Sequence, residues 1–103
     1  MSKTAVLAKI TAQPGKRDEL VSAMGELVAH VENEPGTEVY ALNLDAGDEN
    51  VVWFYEVYAD KDALKAHSGS DVMKKVGGAM APLLAGRPEL TMLTLESGKG
   101  VAV

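Results

Sequence analysis

Val51-Val52-Trp53-Phe54-Tyr55-Glu56-Val57-Tyr58 is the stretch that decides the architecture. It is β-branched and aromatic almost throughout, which is the composition of a strand. Strand side chains alternate between two faces. Val51, Trp53, Tyr55 and Val57 therefore share one face, and Val52, Phe54, Glu56 and Tyr58 share the other. Both sets are bulky and mostly apolar. A sheet with one solvated face alternates apolar with polar residues. This strand does not, so each of its faces is expected to meet something.

Working outward, Asp45 to Asn50 is a polar turn cluster, and Thr37 to Leu44 before it reads as a strand. The two strands and their short connection predict an antiparallel hairpin. Upstream, Leu20, Met24, Leu27, Val28 and Val31 recur at helical spacing within Lys16 to Glu34. Pro35-Gly36 stops that helix. Residues 4–12 are a first strand ending at Pro14-Gly15. Downstream, Asp60 is a candidate N-cap for a short helix running to His67, and Ser70 can cap another. That last helix carries Val72, Val76, Met80, Leu83 and Leu84. Gly77, Gly78 and Pro82 predict a kink or early fraying in it. Glu89 to Leu95 is a fourth strand.

The order is β-α-β-β-α-β with a split second helix, the ferredoxin-like α+β arrangement of a four-stranded antiparallel sheet. The expectation is one domain over residues 1–103, with a core at 4–95 and a tail at 96–103. Helices cover one sheet face only. The simplest cover for the other is the same face of a second copy, a homodimer. Phe54, Glu56 and Tyr58 are expected on that dimer interface.

With 15 acidic against 10 basic residues, the net charge is −5. That argues against nucleic acid, which needs a basic face, and against an anionic membrane surface. No cysteine is present, so disulfides, thiolate nucleophiles and Cys-based metal sites are excluded. Two histidines, His30 and His67, are too few for a His-rich metal cage. No apolar run reaches the roughly 20 residues of a transmembrane helix, and Met1 to Thr4 does not open a signal peptide. A cytoplasmic location is the expectation. Nucleotide, phosphate-loop, nucleophile-elbow and zincin motifs are all missing.

The remaining candidates are polar or aromatic residues on apolar elements. His67 suits a general base at the mouth of a pocket between helix and sheet. Its ordinary alternative is a helix-terminal residue favoured by the dipole. His30 falls off the main stripe of its helix and is expected to face solvent or the stripe's edge. Glu56 needs donors if it is buried, and Lys9 of a neighbouring strand or a partner subunit are the candidates. Trp53, Tyr55, Tyr40 and Tyr58 suit core packing or a flat aromatic ligand. Asn43 could orient a substrate oxygen, or cap a turn. Arg87 suits a carboxylate or phenolate, or plain solvent. Met80 is among the methionines that can form an adaptable pocket wall.

Lys9-Ile10-Thr11-Ala12-Gln13-Pro14-Gly15, Glu34-Pro35-Gly36-Thr37, Phe54-Tyr55-Glu56-Val57-Tyr58 and Asp60-Lys61-Asp62-Ala63-Leu64-Lys65-Ala66-His67 together carry a resemblance. The chain resembles the antibiotic biosynthesis monooxygenase family over residues 4–95. The resemblance implies a dimeric α+β barrel with a pocket in each subunit between sheet and helices. It also implies a cofactor-independent monooxygenase that oxidises a quinol or phenolic polycyclic substrate with O2. A phenolate can itself pass an electron to O2, so the protein need only deprotonate, orient and desolvate it. Trp53 and Tyr55 would then line the pocket with Met80, and His67 and Asn43 would supply polar groups. A heme-degrading branch of the family carries an Asn on the first strand, a Trp on the third and a heme-ligating His. Ala8, Tyr55 and Gly77 stand at those positions here, so no cofactor is expected. The open alternatives are an isomerase or dehydratase on the same barrel, and a non-catalytic ligand-binding dimer.

Overall fold

The computed structural model describes residues 3–103. Four strands, β1 (Thr4–Thr11), β2 (Thr37–Leu44), β3 (Val51–Tyr58) and β4 (Glu89–Thr94), form one antiparallel sheet in the order β2-β3-β1-β4. Three helices, α1 (Arg17–His30), α2 (Lys61–Ser68) and α3 (Asp71–Met80), pack on one side of it. This is the ferredoxin-like fold expected from the element order. The bounds of β2 and β3 coincide with the sequence reading. α1 is shorter, giving way at Val31–Asn33 to a 3-10 turn before Pro35. α3 runs straight through Gly77 and Gly78, and the break falls later, in the 3-10 turn Ala81–Leu83 that holds Pro82.

Local chemistry sets the joints. The Asp60 side chain accepts from the Ala63 backbone N–H at 2.8 Å, capping α2. The Ser70 hydroxyl accepts from Met73 N–H at 3.2 Å, capping α3. Each satisfies one of the amide donors that a helix start leaves free. Gly15 adopts φ +77 between β1 and α1, a conformation that L side chains avoid. Gly36 allows a close crossing, since a Cβ there would lie 2.5 Å from the Ala63 Cβ of α2.

The core lies between helices and sheet. Ala8, Ile10 and Ala12 of the first strand region, Val52 and Phe54 of β3, and Leu20 and Met24 of α1 form one buried cluster. The register pairs Ala8 with Phe54 and Ile10 with Val52. The helices therefore cover the Val52, Phe54, Glu56, Tyr58 face of β3. This reverses the expected assignment, in which Phe54, Glu56 and Tyr58 met a second copy. The reason is the cross-strand register: Lys9 lies opposite Trp53 and Asn43 opposite Trp53 on its other side. Lys9, Thr11 and Asn43 thus share the Trp53 face with Leu7 and Leu93, whereas Ala8, Ile10 and Leu42 share the Phe54 face. Among the described residues, no helix is long and apolar enough to cross a membrane.

Candidate functional site

Between the sheet and the helices lies a cavity of about 410 Å³, open along β4. That volume falls within the roughly 300–1,000 Å³ of small-molecule sites. Its walls are largely apolar: Val6, Ala8, Ile10 and Phe54 from the sheet, and Leu64, Met73 and Met80 from the helices. At the open side, Leu90 and Met92 of β4 also line it. The helices stop short of this strand, leaving Leu90 64% and Met92 55% exposed.

The polar end gathers Tyr40, Glu56 and His67. His67 sits in the last turn of α2 and is only 3% exposed. Its Nδ1 lies 2.8 Å from Glu34 Oε1. That oxygen also accepts the Thr37 hydroxyl at 2.8 Å. The turn after α1 presents Glu34, with Glu34 N–H donating to Val31 O and Thr37 N–H to Glu34 O, both at 3.0 Å. When Glu34 is ionised and His67 neutral, the carboxylate can only accept, so Nδ1 is the donor and Nε2 carries the lone pair. His67 Nε2 is buried without a hydrogen-bond partner. His30 Nε2 approaches the outer oxygen of Glu34 at 3.3 Å, though that oxygen makes no hydrogen bond of acceptable geometry. His30 is half-buried, at the edge of the α1 stripe as expected.

Glu56 is 7% exposed. The Tyr58 hydroxyl donates to its Oε1 at 2.5 Å. Burial pushes the Glu56 carboxyl above its ordinary range, and the Tyr58 hydrogen bond and the neighbouring His67 partly offset this. Lys9 plays no part, since it lies on the other face with its ammonium 5.8 Å over the Trp53 ring. Burial, followed by the charges of Glu56 and Glu34, drives the Tyr40 phenol above its usual range. Tyr58 moves the same way through burial first, then its bond to Glu56. Both phenols stay protonated. The ring centroids of Tyr40 and Tyr58 lie 5.0 and 5.5 Å from that of His67.

Of the residues singled out from sequence, His67 and Met80 line the cavity; Trp53, Tyr55 and Asn43 do not. Trp53 and Tyr55 are half-buried on the sheet's bare face, through the sheet from the cavity. The Trp53 indole N–H donates to Asp45 Oδ1 at 2.7 Å. That bond and two backbone N–H groups of the turn hold the Asp45 carboxyl below its ordinary range. Asn43 donates its amide to Ala41 O at 3.0 Å and Trp53 O at 3.3 Å, tying β2 to β3. Phe54 and Glu56 line the cavity and Tyr58 buttresses Glu56, so this trio belongs to the site and not to the bare face. Sequence reasoning gave Glu34 no chemical role. Its signal was the Glu34-Pro35-Gly36-Thr37 turn, which points a carboxylate back toward α2. Among the described residues, no cluster of three or more His, Cys, Asp or Glu side chains is arranged to hold a metal ion.

Residues 4–77, which carry this whole polar end, match the antibiotic biosynthesis monooxygenase family. The chain belongs to that family. A curated Bacillus subtilis relative named "Putative monooxygenase YcnE" is 36% identical over 61 residues, covering 59% of this chain. The matched stretch spans only 64% of that relative's length. A Caulobacter crescentus crystal structure described as a "putative antibiotic biosynthesis monooxygenase" is 38% identical, covers 93% of this chain and 92% of its own, and superposes with a TM-score of 0.89. One from Chloroflexus aurantiacus, described in the same words, is 26% identical, with coverage of 98% and 100% and a TM-score of 0.83. Rv0793 from Mycobacterium tuberculosis shares the fold, at 24% identity, coverage of 96% and 100%, and a TM-score of 0.87.

Proposed function

We propose that this protein is a cofactor-independent monooxygenase for a phenolic or hydroquinone-type polycyclic ring, bound in the cavity between sheet and helices. The observation that carries the reading is the His67–Glu34 pair, with Nδ1 held at 2.8 Å and a buried, unpartnered Nε2 at the wall of an apolar cavity. A ring hydroxyl donating to Nε2 would satisfy that orphan, and loss of its proton to Nε2 would leave a phenolate. Glu34 fixes the tautomer and stabilises the imidazolium formed. The apolar walls exclude water, which strengthens the pairing and leaves the electron-rich ring facing dissolved O2. For a phenol with an unsubstituted para carbon, the balance closes without an external reductant. The ring gives up the four electrons, one oxygen atom becomes the new carbonyl of a quinone, and the other leaves as water with the two hydrogens lost.

Oxygen uptake with a panel of naphthols and hydroquinones tests this. His67→Ala should lower turnover by roughly 10²-fold, the low end of general-base effects. Equal rates in wild type and variant would remove His67 from the mechanism. The isomerase alternative has one observation in its favour. Glu56 is a second titratable group in the same cavity, so two side chains could move a proton between two carbons of one ligand. Turnover of a ligand without oxygen consumption would select that reading.

The assembly proposed is a homodimer through the sheet face that the helices leave bare. Leu7, Trp53, Tyr55 and Leu93 lie there, in place of the Phe54 set.

A further inference from the structure

The polar end of the cavity holds carboxylates, an imidazole and neutral hydroxyls, and no cation. Tyr40 and Ser68 bring uncharged hydroxyls to it, while its two strongest acceptors are His67 and Glu56. His67 Nε2 has no partner. Glu56 uses one oxygen to take the Tyr58 hydroxyl and is still 7% exposed, with its side chain on the cavity wall. Glu34 adds a second carboxylate directly behind the imidazole. Among the described residues, no lysine or arginine lines the cavity. Arg87, next to Pro88 at the open end, is exposed, and Lys9, beside Ala8 and Ile10, lies on the other face of the sheet over Trp53. An anionic group at the polar end would face Glu56 in an apolar, weakly screened space, with no fixed positive charge to answer it.

We infer that this cavity selects ligands whose inner end is uncharged and carries two hydrogen-bond donors, such as an aromatic ring with two adjacent hydroxyls, and excludes ligands that end in a carboxylate or phosphate. One hydroxyl donates to His67 Nε2 and the other to Glu56. The apolar body lies against Phe54 and Met80 and extends toward Leu90 and Met92. This deepens the proposed function by naming the charge and donor count of its substrate. It rests on that reading for the placement of the ligand and does not depend on the oxygen chemistry.

The test is equilibrium binding at neutral pH of four compounds on one bicyclic skeleton: 2,3-dihydroxynaphthalene, 2-naphthol, 3-hydroxy-2-naphthoate and 2-naphthyl phosphate. The diol should bind about tenfold more tightly than the single hydroxyl, and about 100-fold or more tightly than either anion. Glu56→Gln replaces an acceptor with a group that also donates, and Tyr58 can still donate to its carbonyl. The variant should close the gap between diol and hydroxynaphthoate by at least about tenfold. Wild-type protein supplies a second measurement independent of that variant's folding. As the pH falls and Glu56 takes a proton, hydroxynaphthoate, which stays ionised, should gain on the diol. Anions that bind as tightly as the diol would overturn the inference, as would failure of all four compounds to bind. An intact order of affinities without oxygen uptake would leave the inference standing and remove the monooxygenase reading.

Discussion

Glu56 is the residue at which folding and function pull apart. It sits on an otherwise apolar face, beneath α2, where a glutamine or valine would fold more easily. Burial raises its pKa above the ordinary 4.5. The folded state therefore holds the proton more tightly than the unfolded chain does. The sign follows: Glu56 contributes most to stability below about pH 4.5, and that contribution is lost as pH rises through its folded value. Urea midpoints measured between about pH 4 and pH 8 should show this as a falling component that Glu56→Gln lacks. A variant with the wild-type slope would mean that the carboxyl is better solvated than its burial suggests. Tyr58→Phe acts on the same carboxylate by removing its donor. It should cost about 1–3 kcal/mol at neutral pH, and less under acid, where Glu56 is neutral. Glu34→Gln affects a different property. A glutamine can turn its amide N–H toward His67 Nδ1, which forces the proton onto Nε2 and removes the open acceptor. Turnover should then fall toward that of His67→Ala with little change in melting temperature. Nitrogen chemical shifts of the His67 ring should report the switched tautomer.

At the scale of elements, the joints between β3, α2 and α3 were open to inspection because each is a local event. Asp60 and Ser70 read as caps from sequence and act as caps in the fold. Capping needs only a side-chain oxygen and the next few amides. Asp60→Ala and Ser70→Ala should each cost about 1 kcal/mol. The Ser70 change should also loosen Met73 at the cavity wall. Which face of β3 the helices cover was not local, and the strand's own alternation could not answer it. The deciding information sat in β1, where Lys9 and Thr11 alternate with Ile10, and in the register that sets Lys9 against Trp53. Reading two strands together would have put Phe54 inside and Trp53 outside. The same gap hid Glu34, because a turn carboxylate meets a histidine 33 residues further on only after β2 and β3 have formed. Gly36 marks where those elements close. A methyl group there would collide with Ala63, so Gly36→Ala should destabilise by about 1–3 kcal/mol, as overpacking does. If the clash is the cause, Ala63→Gly should recover part of that loss when combined with it, giving a favourable coupling in the double-mutant cycle. Additive losses would place the cost in the backbone of the turn instead.

For the whole molecule, the deciding fact is that three helices lie on one side of a four-stranded sheet and, among the described residues, no helix lies across the other. That bare face carries Leu7, Trp53 and Tyr55, with Leu93 43% exposed at its β4 side. Apolar surface of this kind on a chain of 103 residues favours burial against a like surface. A stable interface of roughly 1,200–2,000 Å² in total would cover much of the sheet. Scattering or sedimentation should therefore report twice the mass of one chain. Tyr55→Asp should shift it toward monomer by placing a charge in the apolar contact, and Lys61→Asp on the far helix should not. Phe54→Asp gives the converse result: it damages the cavity and the core around Val52 and Met24, and so lowers stability before it affects association. The chain's single tryptophan makes the contrast measurable. Trp53 is half-buried on the bare face and pinned by Asp45. Dilution to monomer, or the Tyr55→Asp change, should move its emission to the red as water reaches the indole. Ligand entering the cavity on the other side of the sheet should leave the emission wavelength nearly unchanged. A wild-type protein that stays monomeric at micromolar concentration, with Trp53 emission insensitive to dilution, would falsify the sheet-to-sheet dimer. The bare face would then have to be covered by some other partner.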